Sequence, residues 1–149
     1  MSSIHIVYAS VGGNTQMVVE TVADLLKSKG HRVSSMRAEL SDPKALLDCD
    51  VCVLASPTYG HGTLEAAMDE FVHKMKGLKL GGKPCAVIGL GDAKYELQYH
   101  LESAPKLEKV LTEAGGKVLL PALRISGTPV MHLKGLIPAW VEKFSAALK

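Results

Sequence analysis

Cysteine is scarce and odd in number: Cys49, Cys52 and Cys85 are the only three in 149 residues. Three thiols cannot close a disulfide framework, and two of them lie inside apolar runs, which fits a reducing compartment. Cys49 and Cys52 do have the C-x-x-C spacing of redox and zinc sites. Cys52, however, falls in the run Val51–Ala55, where side chains alternate across a strand. Positions three apart are then expected on opposite faces, and the thiols as buried packing groups. No stretch approaches 18 consecutive apolar residues, so no transmembrane helix is expected. The chain enters a strand-like run at Ile4 with no cationic segment or apolar h-region before it, and the expected location is the cytoplasm. Charge of one sign is also missing. Lysine and arginine exceed the acids by 17 − 15 = +2, too little to argue for nucleic acid without a clustered basic face. The densest basic group, Lys74, Lys76, Lys79 and Lys83, reads as a solvated helix terminus. The six histidines, His5, His31, His61, His73, His100 and His132, show no H-x-x-x-H or Cys/His ligand spacing, and no metal is expected.

Apolar residues make up 47% of the chain, charged residues 21%, and no tract is of low complexity, which describes a compact globular protein. A domain of this length buries roughly two-thirds of its unfolded surface. Residues 1–149 are therefore expected to form one domain. Five short runs, Ile4–Ala9, Arg32–Met36, Val51–Ala55, Cys85–Leu90 and Val118–Leu120, are too short for helices. Between them lie helical stripes: Val18, Val22, Leu25 and Leu26; then Leu64, Ala67, Met68, Phe71, Val72 and Met75; then Leu107, Val110, Leu111 and Ala114. A last stripe, Leu136, Ile137, Trp140, Val141, Phe144 and Leu148, ends the chain, and Pro43–Leu47 reads as a short helix capped by Asp42. Strands alternating with helices imply parallel pairing through right-handed crossovers. The expected fold is α/β: a doubly wound five-stranded parallel sheet, order 2-1-3-4-5, with helices on both faces. In such a sheet a ligand sits beyond the carboxyl ends of the strands, at the switch point between strands one and three.

That rule nominates three loops. The first, Ser10-Val11-Gly12-Gly13-Asn14-Thr15, leaves a strand and opens a helix, so its N–H groups face an anion site. It holds no lysine or arginine, which excludes an NTPase P-loop, and it lacks the third glycine of a dinucleotide fingerprint. The second, Ser56-Pro57-Thr58-Tyr59-Gly60-His61-Gly62-Thr63, sets a tyrosine among small residues after the third strand. The third, Gly89–His100, opens with Gly89-Leu90-Gly91-Asp92 and offers another tyrosine, Tyr95, after the fourth. Two aromatics on adjacent loops can flank one flat ring.

With these motifs the sequence resembles the flavodoxin family, in its short-chain form, over essentially the whole chain. Tyr8-Ala9-Ser10-Val11-Gly12-Gly13-Asn14-Thr15 is similar to that family's phosphate loop. Ser56-Pro57-Thr58-Tyr59-Gly60 and Gly89-Leu90-Gly91-Asp92 with Tyr95-Glu96 are similar to its two ring loops. The resemblance implies non-covalent FMN, its phosphate held without any cation, Tyr95 stacked on the outer ring face, Tyr59 on the inner, and the Gly60–His61 peptide beside flavin N5. It implies a low-potential carrier shuttling single electrons between redox partner proteins, a reductase donor and an acceptor enzyme met transiently, and not an enzyme. The rival within the same resemblance is a flavin-dependent quinone or small-molecule reductase. A phosphorylated receiver domain of like topology would end its first strand in acids, and Ile4–Ala9 has none. A monomer is expected.

Three departures from the family pattern stand out. Gly12 sits where the family usually has Thr or Ser, removing one hydroxyl worth on the order of 1 kcal/mol. Ser103 and Pro105 read as the cap and first-turn proline of a helix that starts late. The chain lacks the family's strong acidity and places His61 and Lys94 near the proposed ring. Nearby basic groups favour an anionic reduced flavin, and His61 can make the potential depend on pH.

Overall fold

A run that is apolar on both faces must be covered twice, and the chain supplies helices for both coverings. The computed structural model describes residues 2–10, 13–59, 63–91, 103–126 and 133–148. Within them the elements are β1 (Ser3–Tyr8), α1 (Asn14–Ser28), β2 (Arg32–Arg37), β3 (Val51–Tyr59), β4 (Thr63–Leu64), α2 (Ala66–Lys74), β5 (Pro84–Gly91), α3 (Ser103–Glu113), β6 (Lys117–Val118), β7 (Leu123–Ser126) and α4 (Leu136–Ala147). Two 3-10 turns, Ala38–Leu40 and Pro43–Leu47, link β2 to β3.

Among the described residues these strands form one sheet, ordered β2-β1-β3-β5 with β6 and then β7 along the outer side of β5. All of these pairings are parallel. Counting β6 and β7 as one position, this is the expected order 2-1-3-4-5, and β1 and β3 are neighbours at the switch point. Period-two alternation divides the core cleanly. Ile4, Ile6, Val51, Val53, Ala86 and Ile88 pack on one face against Val18, Val22 and Leu26 of α1 and Ile137, Trp140 and Phe144 of α4. Val7, Cys52, Leu54, Cys85 and Val87 pack on the other against Met68 and Phe71 of α2 and Leu107 and Leu111 of α3. β2 has one neighbour, β1, and carries mostly exposed side chains, as an edge should.

Several expectations need correcting. The fifth strand, read as Val118–Leu120, is two pieces separated by Leu119–Ala122. Pro121 lies in the gap and has no N–H for a ladder, while its carbonyl accepts from Trp140 Nε1 at 3.0 Å. Leu64 is not on the second helix; it pairs with Thr58 in an antiparallel bridge. That helix starts at Ala66, where the Glu65 carboxylate accepts from the N–H groups of Ala67 and Met68 at 2.8 and 3.3 Å. Leu136 is exposed although it shares the stripe of α4. The short helix expected at Pro43–Leu47 is present as a 3-10 helix, with the expected Asp42 cap on the Lys44 N–H. Lys83 is not a solvated terminus: its ammonium donates to the carbonyls of Leu46 and Leu47 at 2.9 and 3.0 Å and to that of Cys49.

Cys49 and Cys52 depart furthest from expectation. Cys49 precedes the strand, so the alternation rule does not govern it, and its sulfur turns back to lie 3.7 Å from that of Cys52. All three cysteines are free and buried. Among the described residues no helix is long and apolar enough to cross a membrane, and no group of three or more His, Cys, Asp or Glu is disposed to hold a metal.

Candidate functional site

The carboxyl ends of β1, β3 and β5 bring the three nominated loops to one end of the sheet. β1 is tied to β3 beyond its last pair by the Ala9 N–H, which donates to the Ala55 carbonyl at 3.0 Å. The chain then turns into α1 through Gly13, whose φ of 88° is left-handed. A side chain there would meet nothing within 4 Å, so it is the backbone angle and not space that calls for glycine.

α1 begins on a residue with no side chain to cap it. Its first intrahelical bond runs from Met17 N to Gly13 O at 3.0 Å, and no acid occupies its first turn. Among the described residues only the Ser10 hydroxyl approaches, a long 3.4 Å from Gln16 N. Asn14 is exposed and Thr15 buried. A helix start whose cap residue has no side chain and whose first turn has no carboxylate attracts anions through hydrogen bonding and the helix dipole together.

The sequence gives this loop no cation, but the fold brings one. Arg37, the last residue of β2, stands in register with Tyr8, the last of β1. Its Nη1 donates to the Ser10 carbonyl at 3.1 Å, its Nη2 donates to Gln16 Oε1 at 2.9 Å, and its guanidinium carbon sits 5.7 Å from the centre of the Tyr8 ring. The loop is thus braced from both sides by one planar donor. The signal was available in the sequence: in a 2-1-3-4-5 sheet, parallel strands one and two end side by side. Reading the first loop by itself hides the neighbour.

In the second loop Ser56 is buried; its hydroxyl donates to the Pro57 carbonyl at 3.0 Å, and its own carbonyl accepts from the Ser103 hydroxyl at 2.8 Å. Ser103 thus ties α3 to β3. β3 runs on through Thr58 and Tyr59, whose backbones pair with Leu64 and Thr63 of β4. Gly60, His61 and Gly62 lie outside the described residues, as do Val11 and Gly12. In the third loop Gly89, Leu90 and Gly91 complete β5, while Asp92, Lys94, Tyr95 and Glu96 lie outside the described residues. Gly89 has a packing role: a Cβ there would lie 2.9 Å from Ala104 Cβ and 3.0 Å from Ser103 Oγ. Leu90 is buried in the core on the α1 side, and its backbone lies in register with Pro57 on one side and Ile125 on the other. A cavity of about 530 Å³ lined by Val72, Met75, Leu78 and Val110 lies where α2 and α3 end, away from these loops.

The flavodoxin family model matches residues 6–140, and with them all three loops. The chain belongs to the flavodoxin family. Probable flavodoxin 2 of Bacillus subtilis is 30% identical over 130 residues, 87% of this chain and 85% of that protein. The crystal structure of oxidised flavodoxin 2 from Bacillus cereus superposes with a TM-score of 0.89 at 29% identity, covering 97% of this chain and 98% of the other. Fusobacterium nucleatum flavodoxin bound to flavin mononucleotide has a TM-score of 0.81 at 19% identity, covering 98% of each chain, and shares the fold. Flavodoxins are electron-transfer proteins rather than enzymes, and their cofactor is FMN. The acid-free, glycine-led start of α1 suits the phosphate of that cofactor on chemistry read from this chain alone.

Proposed function

We propose that this chain is an FMN-dependent electron carrier of one domain, residues 1–149, passing single electrons between a reductase donor and an acceptor enzyme that it meets transiently as a cytoplasmic monomer. The observation that carries the reading is the acid-free first turn of α1 beneath a left-handed glycine, braced by Arg37. Ser10, Val11, Gly12, Gly13, Asn14 and Thr15 would hold the phosphate through N–H and hydroxyl donors. The loops Ser56–Gly62 and Gly89–Asp92, with Tyr59 and Tyr95, would hold the isoalloxazine ring. FMN, when bound, supplies the redox chemistry. The protein excludes water from it, orients it and sets the surrounding charge, and no general acid or base is required of any side chain.

The Arg37 guanidinium has a defined part in this reading. Bonded to the Ser10 carbonyl, it occupies a group whose negative end would otherwise compete with the phosphate, and it adds positive charge beside a loop that lacks its own. It offsets the hydroxyl missing at Gly12. The test is to purify the protein, identify any released flavin and titrate the holoprotein with dithionite. Bound FMN taking up its electrons one at a time supports the carrier. Protein that stays colourless with added FMN refutes it, and oxidation of NADPH without a partner reductase transfers the assignment to a flavin-dependent reductase.

A further inference from the structure

The three cysteines form one cluster at the amino ends of the strands, remote from the loops just described. Cys52 is the second residue of β3 and Tyr59 the last, and seven residues of strand span about 23 Å. Cys49 lies in the turn before β3, which is held by two bonds: Asp50 N donates to Ser3 O at 2.9 Å, and Ser3 N donates to Asp50 Oδ2 at 3.0 Å. The turn folds Cys49 onto the same face as Cys52. Both thiols reach one acceptor, the Leu46 carbonyl, at 3.4 and 3.3 Å, and their sulfurs are 3.7 Å apart. A disulfide needs about 2.05 Å, so closure asks for about 1.7 Å of approach shared between two side chains. Cys85 stands beside Cys52 in register and its thiol is hydrogen-bonded to that of Cys52 as well, but it is also held from other sides. It donates to the Lys83 carbonyl at 3.2 Å, and a Cβ on Gly116 would come within 2.7 Å of its sulfur.

From this arrangement we propose that Cys49 and Cys52 are a redox-active dithiol, oxidised to an intramolecular disulfide by small hydroperoxides. Cys49 is the attacking group. It is the more exposed of the two, 7% against 0%, and Lys83 places its ammonium on the Cys49 carbonyl. The hydrogen bond from Cys52, with Lys83 adding to it against the effect of burial, lowers the Cys49 thiol to about 7. Its partner's thiol is raised by the neighbouring sulfurs and by burial. The Cys49 thiolate attacks one peroxide oxygen; the O–O bond breaks, and hydroxide leaves and takes up the proton that Cys49 released. Cys52 sulfur then attacks the resulting sulfenic sulfur. The S–O bond breaks as the S–S bond forms, and the second hydroxide leaves with the Cys52 proton. Two thiols and one hydroperoxide yield one disulfide and, from hydrogen peroxide, two waters; the sulfurs lose two electrons and the peroxide gains them.

The test treats the purified flavin-loaded protein with one equivalent of hydrogen peroxide, quenches, denatures, alkylates and measures mass by peptide. The expected result is a loss of 2 Da in the peptide containing Cys49 and Cys52, with Cys85 alkylated and full reversal by dithiothreitol. Cys85→Ser keeps the 2 Da loss, and Lys83→Met slows it several-fold at pH 7. The rate in wild type should rise with pH around a midpoint near 7, which a packing role alone does not produce. Three alkylatable thiols after oxidation overturn the proposal, as does a bridge to Cys85. So does a rate that climbs with urea in proportion to the unfolded fraction, because the native pair is then not the reacting species.

Discussion

Replacing Arg37 with methionine isolates the cation that the fold delivers to the first loop while keeping most of its apolar length. The change removes two hydrogen bonds, of 3.1 Å to the Ser10 carbonyl and 2.9 Å to Gln16 Oε1. The side chain is partly exposed, so the loop loses about 1 kcal/mol of ordering rather than the full cost of an unpaired buried carbonyl. It also removes a unit charge. A phosphate dianion within about 8 Å in water gains about 1 kcal/mol from that charge. Together about 2 kcal/mol corresponds to roughly thirtyfold in Kd, and screening at 0.1 M salt, where the Debye length is about 10 Å, reduces this to about tenfold. Riboflavin, which has no phosphate, should feel only the ordering part, about fivefold. Flavin-fluorescence titrations of the apoprotein with both ligands, at low and high salt, read the two parts separately. Arg37→Lys should keep the salt dependence. Equal losses for FMN and riboflavin, or a salt dependence unchanged in Arg37→Met, would refute the charge argument and leave Arg37 as a structural brace.

Other predictions concern stability and potential. Gly89→Ala sets a methyl 2.9 Å from Ala104 Cβ and should destabilise by about 1–3 kcal/mol, read from the urea midpoint; an unchanged midpoint would mean that α3 shifts freely. Among the described residues the buried Nε2 of His5 has no hydrogen-bond partner, and burial holds the His5 pKa below the ordinary 6.5. The unfolded chain therefore binds the proton more readily, so stability is full above about pH 7 and falls as pH drops through 6.5. The urea midpoint of His5→Gln should fall less than that of wild type between about pH 7.5 and 5.5; parallel curves would refute this. Lys94→Glu, chosen from the sequence, should make the second one-electron couple of bound flavin more negative in potentiometry, and an unchanged couple would remove Lys94 from the flavin's electrostatics.

Much of the architecture was legible because it rests on local pattern. The runs at β1, β3 and β5 are apolar at nearly every position, which is the mark of strands covered on both faces, and the stripes of α1, α2 and α3 repeat at helical spacing. The switch-point rule then led to the loops at the ends of β1, β3 and β5 before any motif was consulted. Reading failed where a neighbour distant in sequence decides the outcome. The fifth strand breaks at Pro121, whose carbonyl is taken by Trp140 from the last helix. Ser103, read only as a helix-start residue, also donates its hydroxyl to the carbonyl of Ser56, 47 positions earlier. Lys83 looked solvated but clamps three carbonyls of the turn before β3.

The sequence by itself determined the class of fold and the glycine-led start of α1, since each follows from periodicity, chain connectivity or the conformational freedom of one residue; the same alternation admits other doubly wound strand orders, and 2-1-3-4-5 was chosen among them. Only the tertiary structure decided what surrounds those features. It set Arg37 against Ser10 through the register of β1 and β2, and it turned Cys49 onto Cys52 because the turn before β3 escapes the alternation that a strand imposes. Charge and reactivity depend on distances of a few ångströms between side chains, and those distances are set by packing, which no local pattern encodes.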